Sequence, residues 1–262
     1  MQKINFFFLA AFISTALPSW AIMNGRDANL TLSASTVYIH IGDSEMACSG
    51  VIVHPHLIFT AGHCAEDLSI TNVATITNEA NSMGARKFDI SVSLSPGYRA
   101  GDEKEAQDIQ NDFAFVKVRQ DLVQLFSLRA NQLPKLPTTE KQLIDILTAA
   151  SGNTIAYGYG DYSRNRTGVK KELRLLASFV QDYSVITTKS QERNIGICHG
   201  DSGGGLFTTF NNGVTYLLGV VSGITNDNCG AVGADASYAT IHQHLCWVQK
   251  SSRYDLGIAN CR

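Results

Sequence analysis

Short apolar runs broken by Gly, Asn, Asp and Ser recur along this chain, and they constrain its fold more than any other feature. Val51-Ile52-Val53, Leu57-Ile58-Phe59-Thr60, the stretch from Phe113 to Val118 and that from Tyr216 to Val221 are the clearest. Runs this short, bounded by turn formers, suit buried strands and are too brief for ordinary helices. Two stretches read as helices instead: roughly Thr139 to Ala150, and a C-terminal segment with Ile241, Leu245 and Val248 at i, i+4 and i+7. The polar region from Gln120 to Thr138 divides the strand-rich material into halves of comparable size, with no repeat, low-complexity block or Pro-rich linker. Two small barrels in one compact unit answer this pattern, because closing a sheet removes its edges. The expectation is an all-β chain, with barrels over about residues 22–125 and 135–240 and a C-terminal α-helix over about 241–250.

Residues 1–21 stand apart from that pattern. Lys3 opens them, the run from Ile4 to Leu17 is apolar, and Pro18-Ser19-Trp20-Ala21 supplies the small residues of a cleavage site. This predicts a secretory signal peptide, whose removal takes 21 of the 262 residues and leaves 241 beginning at Ile22. The apolar run is shorter than the roughly 20 residues needed to span a bilayer. The expected product is therefore secreted, extracellular or periplasmic, with no membrane partner. A net charge of −2 offers no field for nucleic acid, and 44% hydrophobic residues exclude a disordered chain.

Export decides how the cysteines are read. Cys48, Cys64, Cys198, Cys229, Cys246 and Cys261 all follow residue 21, and an even count in an oxidising compartment implies three disulfides. Six cysteines allow 15 pairings, and the residues alone do not choose among them. A zinc site is the competing reading, but the sequence has no Cys-x-x-Cys pair and spreads the six over more than 200 residues.

Acyl transfer through a serine needs an imidazole to take the hydroxyl proton, a carboxylate to orient the imidazole, and donors for the developing oxyanion. Three local contexts offer those groups. Thr60-Ala61-Gly62-His63-Cys64 presents His63 just after an apolar strand. Asn111-Asp112-Phe113-Ala114 presents Asp112 at the mouth of another. Gly200-Asp201-Ser202-Gly203-Gly204-Gly205 presents Ser202 in a Gly-rich turn, where missing Cβ atoms let backbone N–H groups face a substrate. A lone Gly-rich turn is more often only a turn, and a lone Asp before a strand is usually a cap. Asp89 and Asp108 are rival carboxylates, but neither opens an apolar strand as Asp112 does.

Together these strings resemble the chymotrypsin/trypsin-like serine proteases, whose signatures are Thr-Ala-Ala/Gly-His-Cys, Asp-hydrophobic-Ala and Gly-Asp-Ser-Gly-Gly. The order His, Asp, Ser and the gaps of 49 and 90 residues also suit the family, so the resemblance covers the whole chain beyond residue 21. It implies two six-stranded antiparallel Greek-key β-barrels and a secreted endopeptidase acting on protein or peptide substrates, a monomer open to protein inhibitors. It makes Ser202 the nucleophile, His63 the general base and then acid, Asp112 the group that orients His63, and the N–H groups of Gly200 and Ser202 the oxyanion hole. It places Ser222 on a strand that lines the cleft and supports the aspartate. Gly158-Tyr159-Gly160 matches a Gly-Trp-Gly element of the family with Tyr in place of Trp.

The same resemblance pairs Cys48 with Cys64 across the histidine loop and Cys198 with Cys229 beside the specificity pocket. Cys246 and Cys261 then form a third bridge that departs from the commonest family patterns. Ile22-Met23-Asn24-Gly25 matches the activated N-terminus of the family, whose ammonium pairs with the aspartate before the serine, here Asp201. Signal removal alone then creates the activating terminus. The pocket residues implied are Gly196, Ile197, Ser222, Gly223, Ile224 and Ala236. Gly196 stands where a trypsin would carry Asp, so a basic P1 residue is not expected, and the aliphatic walls favour small or medium apolar P1 side chains. Asp235 reaches the pocket only if the register slips by one, and the loop from Thr225 to Asn228 looks longer than usual.

Other histidines weigh less. His54-x-His56 has metal-like spacing but no third ligand, so a surface turn around Pro55 is the better reading, and His199 borders the cleft. A calcium loop of the kind some relatives carry would need acidic residues over about 72–88, where Glu79 is the only carboxylate. No metal and no cofactor is expected. A secreted pseudoprotease that keeps the fold as a binding module is the alternative, although none of the three catalytic residue types is missing.

Overall fold

A computed structural model describes residues 21–41, 47–68, 72–100, 106–161, 167–180, 184–190, 192, 194–224, 229–230, 235–259 and 261. The signal-peptide reading of residues 1–21 and the loop from Thr225 to Asn228 thus lie almost wholly outside the described residues. Strands β2 (Thr36–Ile41), β3 (Ala47–His54), β4 (Leu57–Thr60), β5 (Val73–Thr77), β6 (Arg86–Leu94) and β7 (Ala114–Val118) close a barrel in the order β2-β3-β4-β7-β6-β5. Strands β8 (Asn153–Gly158), β9 (Lys171–Val180), β10 (Val185–Ser190), β11 (Gly205–Thr209), β12 (Thr215–Ile224) and β13 (Asp235–Thr240) close a second ring, β8-β9-β10-β13-β12-β11. Every pairing is antiparallel, and both rings follow one connection order: first, second, third, sixth, fifth, fourth strand. A short β1 (Arg26–Asp27) adds to the outside of β9, so the chain just after Ile22, expected with the first barrel, is built onto the second.

The apolar runs are continuous rather than alternating because their strands bury both faces. In β4, Ile58 enters the core of the first barrel with Val37, Ile39 and Val116, while Leu57 and Phe59 face a separate cluster. That cluster is the seam between the barrels: Val51, Phe59, Phe113 and Phe115 from the first meet Tyr157, Phe207, Leu217 and Val220 from the second. Phe59 and Phe113 meet edge to face at 5.0 Å between ring centres, a favoured aromatic geometry. Lys170 adds a polar joint: fully buried, its Nζ donates to the carbonyls of Ser33 at 3.0 Å and Asn78 at 2.6 Å.

Both predicted helices form. Glu140–Ala149 is capped by the Thr139 hydroxyl, which accepts from Gln142 N–H at 3.1 Å. The C-terminal helix is Leu245–Ser252, starting later than the spacing of Ile241 predicts, because Ile241 already packs in the seam ahead of a turn. Leu245 and Val248 bury against the seam, and the Cys246–Cys261 bridge closes a 15-residue separation behind them, a loop size worth about 3 kcal/mol in the chain-entropy model. No helix among the described residues is long and apolar enough to cross a membrane.

His244 joins that helix to the first barrel. Its ring stacks on Phe113 at 4.3 Å, Nε2 donates to the Gln110 carbonyl at 2.9 Å, and Nδ1 lies 3.4 Å from the Ser95 hydroxyl. Burial pushes its pKa down to about 4 from 6.5, against the Gln110 contact and with help from His242. Folding therefore favours the neutral ring, so its contribution is present above pH 6.5 and is lost as pH falls through about 4, ~3 kcal/mol in all. His244→Phe keeps the stack but cannot titrate. Chemical denaturation should show the stability gap between wild type and this variant shifting by ~3 kcal/mol in the variant's favour from pH 7 to pH 4; a gap constant with pH would refute the assignment.

Candidate active site

His63 lies at the start of the helix Gly62–Leu68, directly after β4, and the neighbouring Cys64 is bonded to Cys48 on β3. Tying the helix to β3 fixes the imidazole relative to the strand. Gly62 allows this packing, since a Cβ there would lie 2.6 Å from the Tyr98 ring and 3.0 Å from Asp112 Oδ1. Asp112 follows the helix Ala106–Asn111 and precedes β7. Its Oδ1 accepts from the His63 backbone N–H at 2.8 Å, and its Oδ2 lies 2.8 Å from His63 Nδ1 and 2.6 Å from the Ser222 hydroxyl that donates to it. Both side chains are nearly withdrawn from water, at 12% and 7% exposure, so the contact is little screened. An imidazole that donates through Nδ1 carries its neutral-state lone pair on Nε2, the arrangement a general base needs.

Ser202 sits in the loop ahead of β11, and two glycines in left-handed conformations shape it: Gly200 at φ 86° and Gly203 at φ 77°. A Cβ on Gly203 would come within 2.1 Å of Thr60 Oγ1 and 2.4 Å of the Ser49 carbonyl, so this loop docks directly on the first barrel. Most amides here are used internally: Cys198 N–H goes to Asp201 Oδ2, Asp201 N–H to Cys198, Gly203 N–H to Val221 and Gly204 N–H to Asp201. The N–H groups of Gly200 and Ser202 donate to no acceptor among the described residues. Two unused donors flanking a serine can bind an oxyanion.

Asp201 is fully buried, and its carboxylate also accepts from Gly160 N–H at 2.8 Å. Burial raises its pKa to about 7, opposed by the Cys198 and Gly160 amides. No cation pairs with it among the described residues. Gly158 and Gly160 make room for it, since a Cβ at either would strike the aspartate, while Tyr159 between them sends its hydroxyl across the seam to the Glu79 carbonyl at 2.6 Å. Ile22 is completely buried in the core of the second barrel, and Met23 next to it accepts from Gly196 N–H at 3.3 Å.

Of the pocket residues, Gly196, Ile197, Ile224 and Ala236 line one small cavity of about 10 Å³ together with Leu175, Thr188 and Ser190. Ser222 turns its hydroxyl to Asp112, and the space a Gly223 side chain would occupy is open. The strand register sets Ala236 opposite Ile224 and Thr188. A larger cavity of about 270 Å³ lies elsewhere, around Tyr157, Arg174 and Phe207, and contains none of His63, Asp112 and Ser202. The Cys198–Cys229 bridge ties the Ser202 loop to the segment after β12.

The remaining candidates fall outside this group. Asp89 is exposed on β6, and the side chain of Asp108 lies outside the described residues. His54 packs tilted against Tyr254 at 4.5 Å and His56 stacks on it at 5.5 Å between ring centres, and His199 is exposed beside the Ser202 loop. One set of donor atoms among the described residues lies close enough for a metal, those of Cys48, His63 and Cys64, but both sulfurs are consumed in the disulfide and offer no thiolate.

Comparison with known proteins agrees with this geometry. A family model described as Trypsin matches residues 22–248. The chain belongs to the trypsin family. Among curated relatives of this trypsin-like chain, vitamin K-dependent protein C of Rattus norvegicus is 23% identical over 78% of this chain and 46% of its own length. Kallikrein-4 of Homo sapiens is 23% identical over 88% of this chain and 87% of its own, and a trypsin-like protease of Streptomyces glaucescens is 25% identical over 75% and 71%. The chain thus spans about half the length of the protein C relatives that it matches.

The glycine constraint is testable. Gly203→Ala puts a methyl group into Thr60 and the Ser49 carbonyl and displaces Ser202. Chemical denaturation should show the variant less stable than the wild type by ~1–3 kcal/mol; undiminished stability would contradict the docking.

Proposed function

We propose that the chain is a secreted serine endopeptidase of the trypsin family that hydrolyses peptide bonds through an acyl-enzyme on Ser202. The observation that carries this reading is the buried Asp112 carboxylate holding His63 Nδ1 at 2.8 Å, with Ser222 donating to the same oxygen. His63 Nε2 takes the Ser202 proton as Oγ attacks the scissile carbonyl, and the imidazolium that forms is stabilised by Asp112. The oxyanion accepts from the Gly200 and Ser202 N–H groups, and the proton passes from His63 to the leaving amine. Water then repeats the sequence on the acyl-enzyme and regenerates Ser202.

Residues 1–21 serve as the signal peptide and residues 22–262 form one protease domain, acting outside the cytoplasm as a monomer on protein substrates and subject to protein inhibitors. Cleavage after Ala21 frees the Ile22 ammonium, which pairs with Asp201 and removes the cost of its buried charge, so no separate zymogen step is needed. The burial of Ile22 and the lack of a cation at Asp201 among the described residues support this. Loss of such a buried pair typically costs about 3–5 kcal/mol. A chain carrying two extra residues before Ile22 should lose roughly 10²–10⁴-fold in kcat/KM, and undiminished activity would exclude the pairing.

The P1 preference is for small or medium apolar side chains, supported by Gly196, which carries no charge to meet a basic side chain, and by Ile197, Ile224 and Ala236 beside it in a cavity that Thr188 and Ser190 also line. Profiling on a peptide library should give Ala, Val or Leu at P1; strict Arg or Lys preference would overturn this. Ser202→Ala should abolish fluorophosphonate labelling and lower turnover at least ~10⁴-fold. A wild type that neither labels nor turns over would instead mark a binding module.

A further inference from the structure

Ser49 follows Cys48 on β3 of the first barrel and is completely buried. Its backbone N–H donates to the Ser202 carbonyl at 2.8 Å, and its own carbonyl accepts from the Thr60 hydroxyl at 2.8 Å. Its hydroxyl donates to the Gly200 carbonyl at 2.9 Å and accepts from the Tyr159 N–H at 3.0 Å. One small side chain from the first barrel therefore bridges two segments of the second, the Ser202 loop and the Gly158-Tyr159-Gly160 element.

The peptide group between Gly200 and Asp201 lies between the two donors assigned to the oxyanion. Gly200 has no Cβ and sits at φ 86°, so its own backbone preference holds this peptide only weakly. Its carbonyl is held by Ser49 Oγ and its N–H end by the bond from Asp201 N–H to the Cys198 carbonyl at 3.1 Å. Without the hydroxyl this part-buried carbonyl loses its side-chain partner, and a shift of the peptide that satisfied it elsewhere would move the two Cα atoms on which the flanking Gly200 and Ser202 N–H groups depend.

We propose that the Ser49 hydroxyl is a positioning residue for the oxyanion hole, tying the Gly200–Asp201 peptide to the first barrel so that the Gly200 and Ser202 N–H groups stay aimed at one point. This rests on reading those two groups as the oxyanion donors. Because the tether acts only on where the oxyanion forms, its loss should weaken the transition state and leave ground-state binding alone.

The test compares Ser49→Ala, Ser49→Cys and Thr60→Val with the wild-type chain beginning at Ile22. Ser49→Ala should lower kcat about 10-fold, below the ~10²–10³-fold cost of losing a donor itself, with KM unchanged. A peptide aldehyde, which forms an oxyanion adduct, should lose affinity by the same factor, while the same peptide ending in an alcohol, which forms no adduct, should bind as before. Thr60→Val removes a hydrogen bond from the same residue without freeing Gly200, and should leave the affinity for the aldehyde relative to a ligand that forms no adduct unchanged. If Ser49→Ala fails to fold, Ser49→Cys, with a weaker donor of similar shape, should show the same split to a smaller degree. An active wild type whose Ser49 variants keep kcat, lose through KM alone, or bind the aldehyde as before overturns the inference and leaves the protease reading standing. A wild type without turnover or labelling overturns both.

Discussion

The hydrogen bond from Ser222 to Asp112 crosses from one barrel to the other at 2.6 Å, and the candidate site is assembled across the same boundary. Asp112 and His63 stand on the first barrel, while Ser202, Gly200 and Ser222 stand on the second. None of these groups can hold its distance to the others unless the two barrels are locked together. The lock is an apolar seam in which β3, β4 and β7 spend their second face, closed from outside by the C-terminal helix and crossed by polar joints at Lys170, His244 and Ser49. Dense packing of this kind has low compliance, so small side chains there can set positions to fractions of an ångström.

The Ser202 loop shows what that rigidity is used for. Its glycines remove side chains where Thr60, the Ser49 carbonyl and the Gly158–Gly160 element come too close, and its internal hydrogen bonds leave the Gly200 and Ser202 amides without an acceptor among the described residues. Beneath it lies Asp201, a fully buried acid with only amide partners among the described residues, whose pKa of about 7 reflects the cost of charging it there. An ammonium arriving beside it would turn an unfavourable burial into a paired one, which gives the activation proposal a thermodynamic direction.

Much of this was legible along the chain. The runs at Leu57–Thr60 and Phe113–Val118 read as buried strands because both faces of β4 and β7 are apolar, and the stretch from Thr139 to Ala150 read as the helix that forms over Glu140–Ala149. His63, Asp112 and Ser202 stood out as candidates because acyl transfer would need particular residue types in a local glycine or strand context. The duplicated strand order was legible only through the family resemblance, which implied two six-stranded Greek-key barrels; no internal repeat carries it, since many apolar combinations fill a barrel of the same shape. Ser49 was silent for another reason. A serine beside a cysteine carries no local signal, and its partners Gly200 and Tyr159 are 151 and 110 residues away.

What the sequence by itself determined is composition of chemistry and of local structure: strands where apolar runs are short, a turn where glycines cluster, three residue types suited to acyl transfer, and cysteines in even number. What only the tertiary structure decided is which of these meet. Ile22–Asp27 joined the second barrel because β1 finds a free edge on β9, Asp112 rather than exposed Asp89 met His63, and Ser49 reached Gly200, because such contacts depend on how two closed sheets pack face to face. Local sequence sets the preference of each segment, but the distance between residues far apart in the chain is set by the seam that both barrels must fill.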